Sequence, residues 1–177
     1  MYGKLFAASA FALSAALAGP AAAQDQPDMT AEVIDLDGEI IGTVTFSATP
    51  SGITHIVANL EGVAEGKHGF HIHETGKCDP ADGFKSAGGH YTGGMEHGIL
   101  VKAGPHAGDL PNLHVGNDGI VAVELFTAAV STTADGSNPL ADADGSAIML
   151  HDGPDDYRSQ PSGDAGSRIA CGVIEQN

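Results

Sequence analysis

Tryptophan is absent, and the aromatic share of the 177 residues is only 5%. The core must therefore be built from small and β-branched side chains, and a hydrophobic fraction of 42% is ample for one domain. Positive charge is scarce: 7 Lys and Arg stand against 23 Asp and Glu, for a formal net charge of −16. That balance argues against a nucleic-acid partner, whose phosphates must be neutralised by cations. It also argues against docking on an anionic membrane surface, and it would repel an anionic substrate unless local positive charge overrides it. No segment keeps a helical period, and no internal repeat or second domain is visible. The 25 glycines follow no collagen period, so the natural reading is a turn-rich, all-β chain.

The one long apolar run, Leu5 to Ala18, is too short to span a bilayer comfortably. Lys4 precedes it, Gly19-Pro20 breaks it, and Ala21-Ala22-Ala23 offers small residues for cleavage before Gln24. Residues 1–23 are therefore expected to be a cleaved signal peptide, leaving a domain over 24–177. Removing them takes out Lys4 and no acidic residue, one positive charge fewer than the −16 of the full chain, hence −17. Only two cysteines are present, Cys78 and Cys171. In an exported protein such a pair reads as one disulfide.

Strand-like stretches are expected at 31–36, 40–49, 52–60, 68–73, 119–127, 147–151 and 168–174, with Asp37-Gly38 a strong hairpin signal. Residues 24–30 are polar and expected to be disordered. Two stretches do not look like strands: 74–112, rich in Gly, His and Asp, and 152–167, rich in Gly, Pro, Ser and Asp. Loops this long in a compact domain usually carry function.

Histidine concentrates on and around the first loop. His71 and His73 occupy positions i and i+2 of a strand and face the same side, so both imidazoles can reach one ion. His90, His97, His106 and Asp109 follow, and three imidazoles with one carboxylate suit tetrahedral zinc. His151 ends a strand-like run and could complete a nitrogen-rich copper site with His71 and His73.

The strings His68-Gly69-Phe70-His71-Ile72-His73-Glu74 and Gly88-Gly89-His90-Tyr91 resemble motifs of the copper–zinc superoxide dismutase family. So do His106-x-Gly108-Asp109-Leu110-Pro111-Asn112 and Gly166-Ser167-Arg168-x-Ala170-Cys171-Gly172. Order and approximate spacing match over roughly residues 30–175, and the leader and Gly-Asp-Leu-Pro-Asn-Leu stretch resemble the bacterial periplasmic branch.

The resemblance implies an eight-stranded Greek-key β-barrel, a relative of immunoglobulin-like sandwiches, with two long functional loops. It implies an antioxidant enzyme that converts superoxide to oxygen and hydrogen peroxide, with one copper and one zinc per subunit. It places copper at His71, His73, His90 and His151, and zinc at His90, His97, His106 and Asp109, with His90 bridging the two. Asp155 would link a copper-ligand and a zinc-ligand histidine, Arg168 would attract the anion, and Cys78–Cys171 would be the disulfide. A homodimer is compatible with the family, which includes monomers as well. The family often has Asn-Pro or Asp-Pro after the bridging histidine, whereas this chain has a shorter, proline-free Thr92-Gly93-Gly94-Met95-Glu96.

Outside the motifs, His55 and His114 read as surface residues and His68 as a hydrogen-bonded structural histidine. A competing role for Arg168 is simple pairing with a carboxylate such as Asp164. The competing function is a non-enzymatic copper- or zinc-binding module on the same fold.

Overall fold

A computed structural model describes residues 26–177. The expected signal peptide over 1–23 thus lies outside the described residues. Among the described residues there are nine strands: β1 (Met29–Asp35), β2 (Ile40–Ala48), β3 (Thr54–Leu60), β4 (Gly66–His68), β5 (Phe70–His73), β6 (Leu113–Val115), β7 (Val121–Thr127), β8 (Ser146–His151) and β9 (Arg168–Gln176). The only helical elements among the described residues are two 3₁₀ turns, Pro80–Asp82 and Lys85–Ala87.

Seven strands form one antiparallel sheet in the order β5-β8-β9-β1-β2-β3-β7, and β4 pairs with β6 in a separate ribbon. β4 runs into β5 through the single residue Gly69, while β6 runs into β7 through a turn at Gly116–Gly119. Since β5 and β7 are the two edges of the large sheet, the ribbon joins those edges and closes the barrel. Chain order departs from spatial order at β3, which pairs with β7 rather than β4, as Greek-key connections do. With β4 and β5 counted as one interrupted strand, nine strands become the eight expected.

Two expectations change. The stretch 68–73 is not one strand, because Gly69 turns its backbone out of the ladder to bond Gly153 and His151. Residues Met29 and Thr30, expected to be disordered, belong to β1: Met29 pairs with Phe46 and Gln176, and its side chain is buried.

Alternation explains the core. Met29, Ala31 and Val33 of β1 and Ile56, Ala58 and Leu60 of β3 point inward, packing with Phe46, Phe70, Ile72, Ile148 and Leu150. β5 and β8 break the half-exposed pattern, because every residue of both is buried. One face of β5, carrying Phe70 and Ile72, belongs to the core. The other, carrying His71 and His73, lies under the long loops. The loop 74–112 docks on the free edge of β5 through Ile72 N–H to Gly108 O (2.8 Å), Tyr91 N–H to Ile72 O (2.8 Å) and Glu74 N–H to Gly89 O (3.0 Å). Cys78 and Cys171, 93 residues apart, form a disulfide that ties this loop to β9. Phe84, Ala87, Ala147 and Met149 pack around it in a second small core.

Candidate metal centre

His71 and His73 stand on β5, and His151 ends β8, whose register sets Met149 opposite His71. Isolated bridges from the loop bring Asp109 beside His71 and His90 beside His73. Two groups of donor atoms result: His71, His73, His90 and His151, and His90, His97, His106 and Asp109. Within each, the atoms all lie within 4.8 Å of one another. All six histidines of the two groups are buried.

In the first group each proton is directed away from the centre. His71 Nε2 meets Asp155 Oδ2 at 2.8 Å, His73 Nδ1 meets Gly88 O at 3.1 Å, and His151 Nδ1 meets Gly166 O at 3.3 Å. A neutral imidazole has one N–H, so the opposite nitrogen presents a lone pair. His71 Nδ1, His73 Nε2, His90 Nε2 and His151 Nε2 are buried without hydrogen-bond partners. Four orphaned lone pairs facing one another would cost several kcal/mol in total if nothing lay between them. Burial pushes His71 down to about 4 and His151 down to about 3, and it holds His73 well below the usual histidine range. At neutral pH these rings are unprotonated nitrogen donors, and an all-nitrogen set suits copper.

In the second group one carboxylate oxygen, Asp109 Oδ1, faces His90 Nδ1 at 3.0 Å, His97 Nδ1 at 3.0 Å and His106 Nδ1 at 3.4 Å. Tetrahedral zinc with bonds of about 2.0–2.1 Å sets neighbouring donors about 3.3 Å apart, close to these separations. His97 sits between two carboxylates. Its Nε2 meets Asp155 Oδ1 at 3.0 Å, so a neutral ring has no second proton for Asp109. Burial works to raise Asp109, but the His90 hydrogen bond, the Gly98 N–H and the nearby His97 and His106 outweigh it and hold the carboxyl well below its ordinary range.

Asp155 joins the groups, with Oδ2 on His71 and Oδ1 on His97, and its side chain is fully buried. Such a carboxylate fixes ring orientation and tautomer on both sides. Gly163 lies so close that a Cβ there would meet Asp155 Oδ1 at 1.9 Å, and its φ of +71° also favours glycine.

Arg168 is half-buried at the side of the first group. It donates from Nη1 to Phe84 O and from Nη2 to Gly88 O, both at 2.6 Å. Gly88 O also accepts from His73, so the guanidinium shares an anchor with a donor of the first group. Arg168 has no ion pair among the described residues, and pairing with Asp164 does not occur.

A family model described as copper/zinc superoxide dismutase matches residues 40–174. The chain belongs to the copper/zinc superoxide dismutase family. Like other members it is a superoxide dismutase, an enzyme that uses copper and zinc. It is 44% identical to the copper–zinc superoxide dismutase 2 of Aquifex aeolicus over 146 residues, which cover 81% of this chain and 84% of that protein. It is equally 44% identical to the copper–zinc superoxide dismutase of Caulobacter vibrioides, with 82% and 84% covered. Among solved structures, the Cu/Zn superoxide dismutase of Brucella abortus superposes with a TM-score of 0.65 at 33% identity, covering 82% of this chain and 98% of that one.

The structure brings His71, His73, His90, His97, His106, Asp109 and His151 together, with Asp155 and Arg168 beside them. The proline-free turn before His97 is built by Gly93 and Gly94, both with positive φ, and closed by Met95 N–H to Thr92 O at 3.2 Å. His68 lies within 2.7 Å of His151 O and 2.9 Å of Ala64 O, and His55 and His114 stand apart from the centre. Sequence reasoning missed Gln160, Tyr157, Gly163 and the structural use of Asn112. The bonds that Asn112 makes with Asp155 and Gln160 makes with His97 reach 43 and 63 residues along the chain, so no local pattern announces them.

Proposed function

We propose that His71, His73, His90 and His151 would hold copper, and that His90, His97, His106 and Asp109 would hold zinc, with His90 belonging to both groups. The observation that carries this assignment is the set of four buried, partnerless imidazole nitrogens beside a carboxylate oxygen ringed by three more. When bound there, copper would supply the redox chemistry, the oxidation of one superoxide to dioxygen and the reduction of a second, with two protons, to hydrogen peroxide. The chain supplies the rest. Arg168, always charged and carrying several donors, draws the anion toward the cluster against a strongly acidic background. Its bonds to Phe84 O and Gly88 O aim the guanidinium while leaving it unneutralised. His90 Nε2 faces the first group and is the atom able to carry one of the two protons. His90 Nδ1 stays in the second group, so the ring keeps its place whether or not Nε2 is protonated.

We further propose that residues 1–23 are a signal peptide cleaved before Gln24, and that the mature enzyme works in the periplasm against superoxide formed outside the cytoplasm. The apolar leader and the Cys78–Cys171 disulfide support this, since disulfides persist in oxidising compartments.

Electron paramagnetic resonance of the copper-loaded protein, paired with a dismutation assay, tests the assignment. Nitrogen-coordinated Cu(II) with rapid dismutation is expected. Zinc binding without a nitrogen-coordinated copper signal would contradict it.

A further inference from the structure

The side-chain amide of Gln160 makes a two-point clamp on the main chain of His97. His97 N–H donates to Gln160 Oε1 at 3.0 Å, and Gln160 Nε2 donates to His97 O at 2.8 Å. The same Nε2 also donates to Arg158 O at 3.1 Å, which fixes the amide within its own loop. A mirror arrangement runs the other way. Asn112, on the loop that carries His97, donates from Nδ2 to Asp155 O at 2.8 Å and accepts from Asp155 N–H at 2.8 Å. Each loop thus grips, with one planar amide, the main chain of the residue the other supplies to the His97–Asp155 hydrogen bond.

The two clamps differ in what else supports their target. Asp155 has further anchors: Tyr157 N–H donates to Oδ1 at 2.6 Å, and Tyr157 Oη accepts from Asn112 N–H at 2.8 Å. His97 has fewer. It follows the Gly93-Gly94 turn, precedes Gly98, and belongs to no strand or bridge. Its backbone N–H and C=O are both assigned to Gln160. Without that amide the main chain at His97 makes no hydrogen bond of its own and is held by flanking bonds, Glu96 N–H to Ala103 O, Gly98 N–H to Asp109 Oδ2 and Val101 N–H to Gly98 O.

We infer that Gln160 is the positioning residue for the zinc ligand His97, taking the place of the rigidity a proline-containing turn would supply. This rests on the zinc assignment proposed above. Gln160 is itself exposed and contributes nothing to either core, so its role is separable from folding. Losing a residue that orients a metal ligand typically weakens the site by about 10–100-fold.

Two variants test this. Gln160→Met keeps length and removes both bonds. Gln160→Glu keeps the acceptor for His97 N–H but loses the donor to His97 O. Three readouts apply: the visible absorption of Co(II) placed in the zinc site, zinc release to a chelator, and hydrogen exchange at the His97 amide of zinc-loaded protein. Wild type should give the intense spectrum of four-coordinate Co(II). Zinc release should quicken by about tenfold in Gln160→Met. Gln160→Glu should fall between it and wild type, and His97 N–H should exchange faster in Gln160→Met. The copper spectrum of fully loaded protein should not change, which a general loosening of the fold would not spare. Absence of the four-coordinate Co(II) spectrum in wild type would overturn the zinc assignment itself. That spectrum in wild type, with wild-type zinc release and His97 protection in both variants, would overturn the role of Gln160 alone.

Discussion

His71, His73 and His151 stand on neighbouring strands of a continuous ladder, whereas His97, His106 and Asp109 stand on a loop that touches the sheet only at isolated points. The difference lies in what fixes each donor. On β5 and β8 the pleat and register set the spacing of the rings, and the apolar partners Phe70, Ile72, Ile148 and Leu150 anchor the opposite face. On the loop no ladder does this, and position comes from side-chain clamps, glycines at close approaches and a shared carboxylate. Strand-borne donors are pre-arranged by the core. Loop-borne donors are arranged by one another, so the second cluster should respond more strongly to distant substitutions and to loss of its ion.

The strongest way to test that division is to remove a strand-borne donor. His73→Ala or His151→Ala should abolish dismutation while leaving a folded protein that still binds zinc, as measured by assay, circular dichroism and metal content. Full activity in either variant would mean that the proposed copper position is wrong.

Asp155 tests the link between the halves. Because its two oxygens orient His71 and His97, Asp155→Ala should weaken both metals by about 10–100-fold in competition titrations. Weakening of zinc alone would make it part of the loop half only.

A smaller, several-fold loss is expected for Arg168→Ala at low salt, with copper content unchanged. The gap to wild type should narrow as salt approaches about 0.15 M, where the screening length is about 8 Å. An unchanged rate and salt slope would leave anion guidance to the lysines.

The smallest effect is on stability against pH in the metal-free protein. His71 is lowered to about 4 and His151 to about 3, both by burial. Below the unfolded value of 6.5 the unfolded chain therefore takes up protons that the folded chain refuses. Stability should fall as pH drops from 6.5 toward 4, by at most about 1.4 kcal/mol per pH unit for each group. Urea unfolding at pH 7, 5.5 and 4.5 checks this, and a flat profile would show that the strand-borne rings are not dry.

The same division decided what could be read from the sequence. The His71–His73 alternation, the Asp37-Gly38 hairpin and the acidic surface are local or compositional, and the structure has all three. The loop donors stand out by density of histidine within a Gly-rich stretch. β6 escaped notice because three residues, Leu113–Val115, are too short to show alternation. The break at Gly69 was hidden because apolar and histidine residues continue through it. Gln160 and Asn112 were invisible as clamps because an amide 63 or 43 residues from its target leaves no spacing to detect. Long-range polar contacts between loops are set by the closed barrel, and only the fold brings them together.

The central claim is two adjacent ions sharing His90, one held mainly by strands and the other by loops. Anomalous scattering at the copper and zinc absorption edges, from crystals of the metal-loaded protein, tests it most directly. The account predicts a copper peak among His71, His73, His90 and His151, and a separate zinc peak among His90, His97, His106 and Asp109. Copper in the second group, or a single peak that leaves one side of His90 without an ion, would contradict it.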